Sequence, residues 1–443
     1  MPGDDRRSGE LSKLPDSRPG WNGYPHFMNQ VDVLVIGAGP AGMAAATRAQ
    51  ESGARVAIVD DNWSEGGQIW RGVQNSHTRT PAGIRTFWGT QVVGRGTGDR
   101  TLLLEDAEKA FELAFDKLIL ATGAREIYLP FPGWTLPGVM GTGGLQALVK
   151  SGLRIQGKTV VIAGSGPLLV AVAAYLRKAG ARVRLIAEQA TTRAVSSFAF
   201  HMVRYPQKMR QAAALKLSLH DVPYLRGCWV EAAEGEGRLQ GVRLRQGRKT
   251  WMEDCEYAGI GYGLYPNTEL ASLLGCTLQA NAVEVNEWQR TSVDGVFAAG
   301  ECTGIGGVDL SLLEGEIAGY AACGEMPRAN RLFGMRSHAM RFASALDRAF
   351  RLREELQTLP RPGTIICRCE DVLYEKLQQM SSFRAAKLHT RCGMGPCQAR
   401  ICGVATEFLF GWRTDSVRPP ILPARAASLV LRKEFQQESS ITQ

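Results

Sequence analysis

The chain has no apolar run long enough to cross a bilayer or to form the core of an export signal. With a mean hydropathy of -0.13 over 443 residues it is expected to be soluble, not transmembrane. Histidine is scarce: the six residues His26, His77, His201, His220, His338 and His389 share neither a metal-ligand spacing nor a triad pattern, and each reads as structural. No general base stands out beside a substrate pocket, so no catalytic residue is assigned. A concentrated basic block is also missing. The net charge of +9 comes from charged residues that make up 21% of the chain and spread along it, so no nucleic-acid partner is expected. The densest run, Arg328 to Arg353, carries Leu332, Met335, Ala339, Phe342, Leu346, Phe350, Leu352 and Leu356 at helical spacing. That pattern predicts an amphipathic helix whose arginines face solvent or a partner.

What the chain does have is glycine and clustered cysteine. Fifty glycines suit nucleotide-binding turns, and the length favours two to three domains. Residues 1–30 are polar, rich in proline, glycine and charge, and are expected to be disordered, with Met28 as an alternative start. Ten cysteines without an export signal point to a reducing cytoplasm, with peripheral attachment at the inner membrane left open. Cys228, Cys255, Cys276, Cys302 and Cys323 are scattered and read as core residues. The other five fall in one short window: Cys367 and Cys369 as CxC, then Cys392, Cys397 and Cys402. Thiolates at such spacing can converge on iron or zinc, because a turn aims two sulfurs at one ion with little chain left to order.

The apolar strand Val31 to Ile36 runs into Gly37, Ala38, Gly39, Pro40, Ala41 and Gly42, then an alanine-rich helix, and then a second strand that ends in Asp60. Gly37 permits the tight turn, Gly39 lets the backbone approach a pyrophosphate, and Gly42 packs helix on strand. The helix N-terminus faces the phosphates and Asp60 can accept from a ribose hydroxyl. A lone GxGxxG is a weak signal; strand, fingerprint, helix, strand and acid in this order are a strong one. Three later patterns go with it. They are a turn around Gly66, Gly67 and Gln68, a strand ending in Ala121, Thr122 and Gly123, and a strand ending in Gly300 and Glu301.

The architecture then repeats. Lys158 to Ala163 leads into Gly164, Ser165, Gly166 and Pro167, a helix, and a strand ending at Glu188, but Leu169 fills the third glycine position. A working site here would take NAD(H) or another adenine nucleotide with a free 2'-hydroxyl, held through Gly164, Gly166 and Glu188. The alternative is a scaffold that has lost its dinucleotide. Residues 190–220 read as helices over one face of this second fold.

The first set of motifs resembles the two-dinucleotide-fold flavoprotein disulfide reductase superfamily. The resemblance implies FAD bound by Gly37, Gly39, Pro40, Ala41, Gly42, Asp60, Gly67, Gln68, Ala121, Thr122, Gly123, Gly300 and Glu301, with Glu301 where that superfamily usually has aspartate. Such reductases carry a CxxC or CxxxxC pair beside the flavin; none lies between residues 31 and 326, so dithiol chemistry is not expected. The tail resembles the [2Fe-2S] domain of bacterioferritin-associated ferredoxins.

Taken in order, the stretches from Gly66 to Arg71, Gly300 to Asp309 and Thr390 to Cys402 resemble the α (A) subunits of bacterial opine oxidases or dehydrogenases. Similar chains are the FAD subunit of hydrogen cyanide synthase and those of dye-linked proline and hydroxyproline dehydrogenases. The resemblance implies Cys367, Cys369, Cys397 and Cys402 as cluster ligands, since these relatives often carry alanine at the position of Cys392. It further implies a heteromeric dehydrogenase acting on a secondary amine. A flavoprotein β subunit of the amine-oxidase or D-amino-acid-oxidase kind would oxidise the substrate, with room for FMN at a subunit interface and for a small additional subunit.

The fold class so expected is α/β: a glutathione-reductase-like FAD domain (31–128 and 265–326), an inserted NAD(P)-like domain (129–264), a basic helix and linker (327–362), and a small α-rich [2Fe-2S] domain (363–410). A tail, 411–443, follows. Two competing readings stay open at this point: a self-sufficient NAD(H)-dependent reductase, and a regulatory or assembly protein with a zinc-bound tail.

Overall fold

The computed structural model describes residues 30–70, 80–414 and 417–430. Residues 1–29, Arg71 of the glycine-turn motif and the end of the tail lie outside these, and with them the expectation of N-terminal disorder. Gln30 already belongs to the first strand, Gln30–Ile36.

Two sheets of Rossmann type organise the molecule. In the seven-stranded sheet, Gln30–Ile36 pairs in parallel with Val56–Asp60 on one side and with Ala110–Leu120 on the other. Arg85–Trp88 and Val296–Ala298 extend the parallel set, while Gln91–Arg95 and Thr101–Glu105 add an antiparallel meander on Ala110–Leu120. The chain runs outward from the first strand in one direction and returns on its other side. The crevice beyond the carboxyl ends of these two strands is therefore where a parallel sheet opens to a ligand. Strand interiors such as Leu34, Val35, Ile58, Leu118 and Ile119 are buried on both faces, as a covered parallel sheet requires. The helices Pro40–Glu51 and Val308–Ala322 lie against each other over one face. Gly315 allows this: a Cβ there would sit 2.1 Å from the Ala41 carbonyl oxygen.

The second sheet is parallel throughout, in the order Tyr224–Arg226, Arg182–Glu188, Thr159–Gly164, Tyr257–Gly261, Val139–Gly141. A three-stranded antiparallel sheet, 228–254, packs beside it. The chain leaves the first sheet through Ala124–Glu126 and returns through Leu264–Pro266, and these two crossings pair antiparallel. Leu169 is 1% exposed in the core of the second fold, filling the space a glycine would have left.

Residues 192–218 form the helices Thr192–His201 and Pro206–Ser218, joined by a 3-10 turn. Phe198 of this pair packs against Phe342 at a tilt and against Phe350 edge-on, at 5.7 and 5.4 Å between ring centres. Both belong to the helix Phe333–Phe350. The single helix expected from Arg328 to Arg353 is shorter and broken: Met326–Asn330 precedes it, and Arg351 adopts extended torsions that end it. Leu352 and Leu356 are therefore not on the helix, although Leu356 is fully buried in a following 3-10 turn.

The carboxy-terminal module is small and α-rich. It contains the helices Tyr374–Leu377, Phe383–Thr390 and Cys402–Phe410 and a strand pair, Ile365–Cys367 with Val372–Leu373. The helix Tyr374–Leu377 is only one turn long, and before it Asp371 takes a left-handed torsion (φ 48°) that closes the strand pair. The module is tied to the rest by Trp134 Nε1 donating to the Ile365 carbonyl at 2.6 Å and by Tyr265 Oη donating to Glu407 at 3.0 Å.

Candidate functional site

A cleft of about 470 Å³ opens at the carboxyl ends of the first sheet's strands. Gly37, Gly39, Pro40, Ala41, Asp60, Gly67, Gln68, Ala121, Thr122, Gly123 and Glu301 all line it. Gly42 and Gly300 stand just behind the wall. A Cβ on Gly42 would meet the Gly37 carbonyl oxygen at 1.8 Å, so glycine is what lets the helix approach the strand turn. Gly39 is different. Nothing lies within 4 Å of where its Cβ would be, so the backbone there borders open space directly before the helix Pro40–Glu51. Backbone bordered by space at a helix N-terminus is the cradle a pyrophosphate fits. Asp60 is 8% exposed and accepts from the Ala38 amide at 2.6 Å and from Asn62, which fixes its carboxylate at the cleft's edge.

At the far end, burial raises the Glu301 carboxyl, and the Gly307 amide partly offsets this. The turn that carries Glu301 is held by a residue that no sequence motif marks. Glu314 accepts from the Gly300 amide and from Thr303 Oγ1, both at 2.9 Å. Burial pushes Glu314 up to about 7.

A third wall comes from the cysteine-bearing module. Arg400 lies between Cys397 and Cys402 in sequence, and its side chain lines the same cleft. Its guanidinium donates to the carbonyls of Ile421 (2.7 Å) and Cys397 (3.4 Å), and its own carbonyl accepts from Arg125 Nε at 3.0 Å. Arg125 in turn pairs with Glu269 at 2.8 Å and donates to Asn267 at 2.7 Å. Burial lowers the Arg400 pKa, and the nearby charge of Arg125 adds to this. The cysteine turn is thus bolted to the nucleotide cleft through one arginine, a link invisible in sequence because it exists only once the module has docked.

The cysteines form two adjoining groups. The sulfurs of Cys367, Cys392 and Cys402 lie within 4.8 Å of one another, all buried. Cys369, exposed, lies against Cys397, which is half-buried. Thus each group holds two of the four residues named as ligands by resemblance, and the remaining thiol, Cys392, sits inside the buried group. Cys367 is held far below the ordinary thiol range by hydrogen bonds from Cys392 and Cys402 and by the Gly393 amide, 3.5 Å away. Cys392 is pushed up to about 12 chiefly by the hydrogen bond it makes to Cys367, with burial adding to this, and Cys402 is raised further by hydrogen bonds to Cys367 and Cys392 and by burial. A pocket that already stabilises one thiolate with thiol and amide donors has the chemistry of a soft-metal site.

Its backbone is also strained for the purpose. Of the seven non-glycine residues with positive φ among the described residues, four belong to this module: Asp371, Arg391, Gln398 and Ala399. Gly395 presses on the CxC turn so closely that a Cβ would lie 2.3 Å from that of Cys369. Cys228, Cys255, Cys276 and Cys302 are buried and Cys323 is half-buried, away from this group.

The second fold presents a closed counterpart. Glu188 is fully buried and accepts from the Gly166 amide at 2.7 Å and from the Ala190 amide at 2.8 Å. Burial raises it to about 7 from 4.5. A carboxyl that holds its proton more tightly folded than unfolded contributes stability below the unfolded value, and this is lost as pH rises through the folded one. Stability should therefore fall between about pH 5 and pH 8, with Glu314 contributing alike. Urea unfolding of Glu188→Gln across this range should give a slope reduced by about half. An unchanged slope would show that Glu188 is not held protonated.

A larger groove, about 920 Å³, runs past Thr159, Arg182, Arg238 and Glu256 at the amino ends of the second sheet's strands. That is the wrong end of a parallel sheet for a ligand. Two of its charged residues are already paired, Arg177 with Asp221 and Glu256 with Lys158.

A family model described as pyridine nucleotide-disulphide oxidoreductase matches residues 31–323. The hydrogen cyanide synthase subunit HcnB of Pseudomonas aeruginosa is 31% identical over 419 residues, covering 83% of this chain and 90% of that one. The opine oxidase A-subunit of Agrobacterium tumefaciens is 30% identical over 458 residues, covering 90% and 91%. Among solved structures, L-proline dehydrogenase from P. horikoshii superposes with a TM-score of 0.63 at 18% identity, over 90% of this chain and 79% of that one.

Proposed function

The chain belongs to the pyridine nucleotide-disulphide oxidoreductase family, and from that premise we propose that it is the electron-transferring subunit of a heteromeric, FAD-dependent amino-acid or opine dehydrogenase or oxidase. It is an oxidoreductase chain related over most of its length to HcnB of hydrogen cyanide synthase and to the opine oxidase A-subunit. In this reading FAD occupies the cleft of the first fold and a [2Fe-2S] cluster is held by Cys367, Cys369, Cys397 and Cys402. The division into an FAD domain, an inserted domain and a cysteine domain at the boundaries expected from sequence is part of the same proposal. FAD supplies the exchange between two-electron and one-electron chemistry, which is what a relay to an iron–sulfur cluster needs.

The observation that carries the reading is Arg400. The turn that offers two cysteines also offers a wall of the nucleotide cleft, so the two groups would be neighbours held in one rigid frame. This chain's own residues bind, orient and exclude water. None of those lining the cleft forms a base paired with a nucleophile, which supports placing C–N oxidation in a flavoprotein partner of the amine-oxidase kind. Both HcnB and the opine oxidase A-subunit are subunits by name, which favours such a partner. Among the described residues no helix is long and apolar enough to cross a membrane.

The test is copurification from the native host, then spectroscopy. The complex should show flavin bands and about two iron atoms for each copy of this chain. It should be reduced by a secondary amine or amino acid whose oxidation gives an imine, whereas the isolated chain should not respond to that substrate. A zinc-containing, colourless chain would end this reading in favour of the zinc-tailed alternative.

A further inference from the structure

The family to which the chain belongs implies a nicotinamide nucleotide at the second fold, and the residues there do not fit one. A pyrophosphate at such a fold needs the amides of the glycine turn and the positive end of the helix that follows. Here the turn Gly164, Ser165 and Gly166 is covered by the chain itself. Ser165 Oγ donates to the Phe350 carbonyl at 2.8 Å, and Gln189 Nε2 donates to the carbonyls of Phe350 (3.4 Å) and Arg351 (3.1 Å). Gln189 Oε1 accepts from the Arg353 amide at 3.3 Å, completing a two-sided clamp. The Phe350 side chain lies on the open side of Gly166, its Cγ 4.0 Å from where a Cβ would be.

The ligand groups are also engaged. The Gly166 amide is bonded to Glu188, and Glu188 has no exposed surface from which to reach a ribose. In the first fold the matching acid bonds one residue earlier, to Ala38, and remains at the edge of an open cleft.

Electrostatics explain why the plug is stable. Phe350 is the last residue of the helix Phe333–Phe350, so its carbonyl end carries about half a negative elementary charge. It faces the turn that begins the helix Pro167–Lys178, whose amino end carries the complementary positive charge. One helix end stands where a phosphate would stand. Beyond it Arg353 lies over the Trp229 ring at 5.1 Å, and Leu356 and Leu359 are buried in the core of the second fold.

We propose that the second dinucleotide site is permanently filled by residues 350–353 of this chain, and that the second fold serves as the mount from which the cysteine module hangs. Electrons then do not enter from NADH or NADPH at this site. The inference is independent of which metal the cysteines hold and of which partner oxidises substrate.

Two measurements on the purified full chain with its cofactors test it. Titration with NADH and with NADPH to about 1 mM, followed by nicotinamide fluorescence and flavin absorbance, should show neither saturable binding nor bleaching. Hydrogen exchange should find the Arg353 amide, which donates to the Gln189 side chain, protected and unaffected by either nucleotide. In the double variant Ser165→Ala, Gln189→Ala this amide should exchange about tenfold faster with flavin absorbance unchanged. Saturable binding of either nucleotide competed by ADP-ribose, nucleotide-induced exposure of the Arg353 amide, or unchanged exchange in the double variant would each overturn the proposal.

Discussion

Gly39→Val should give a folded protein that cannot keep FAD. The torsions of Gly39 (φ -74°, ψ -175°) are open to any residue, and its Cβ would touch nothing, so valine introduces no strain and no clash within the protein. The loss of a favourable N-cap costs about 1 kcal/mol at most. The added methyls project into the cleft where the backbone must approach the phosphates, so they exclude the ligand and spare the fold. Affinity should fall by at least about a hundredfold, or about 2.7 kcal/mol. This is read by reconstituting the apoprotein with FAD and following flavin fluorescence quenching, while far-UV circular dichroism stays unchanged. Gly42→Ala provides the contrast. Its Cβ would lie 1.8 Å from the Gly37 carbonyl, so that variant should lose folded protein before it loses flavin. If Gly39→Val retained FAD at wild-type affinity, the cleft would not be the flavin site.

The difference between these two neighbours shows what a sequence can display. The glycine fingerprint is legible because turn, helix start and acid are local: Gly37 through Asp60 spans one strand–helix–strand unit, and each residue's task follows from its place in it. The structure brings those residues to one cleft. Arg400, Glu314 and Phe350 follow no such rule. Arg400 reads as one more polar residue in a cysteine turn; it becomes a cleft residue only through the docking of the module against Arg125 and Ile421. Glu314 sits on a helix of largely small and apolar residues, where one acid carries no motif, yet it fixes the turn before Glu301. Phe350 fits an apolar helical stripe and is half-buried, but the periodicity says nothing of its position over a nucleotide turn. That same periodicity carries the expected helix too far, to Leu356. A buried 3-10 turn continues an apolar pattern as well as a helix does, and only the extended torsions of Arg351 separate them. Leu169 is the exception. The missing third glycine is a visible sign that the second fold has changed, and the closed turn around Gly166 agrees with it.

Cys397→Ser should remove the metal and leave the flavin. Four thiolates complete the coordination of a two-iron cluster, and this module offers five. Cys367 and Cys402 come from the buried group and Cys369 and Cys397 from the rim, so a set drawn two from each group surrounds the space between them. Gly395 packs directly against Cys369, and the left-handed torsions of Gln398 and Ala399 turn the segment between Cys397 and Cys402. Removing either rim cysteine leaves one iron short of a ligand with no other thiol on that side, so iron should drop below about a tenth of the wild-type content. Cys392 stands within the buried group, where two other thiols already suffice. Cys392→Ser should therefore retain most of the iron and the long-wavelength absorption. Iron and zinc analysis beside a visible spectrum separates the cases. If Cys392→Ser loses iron while Cys397→Ser keeps it, the ligand belongs to Cys392, which stands five positions before Cys397 as Cys402 stands five after it. The cluster would then lie deeper, against Cys367 and Cys402, and Arg400 would border an open thiol turn in place of a metal-bound one.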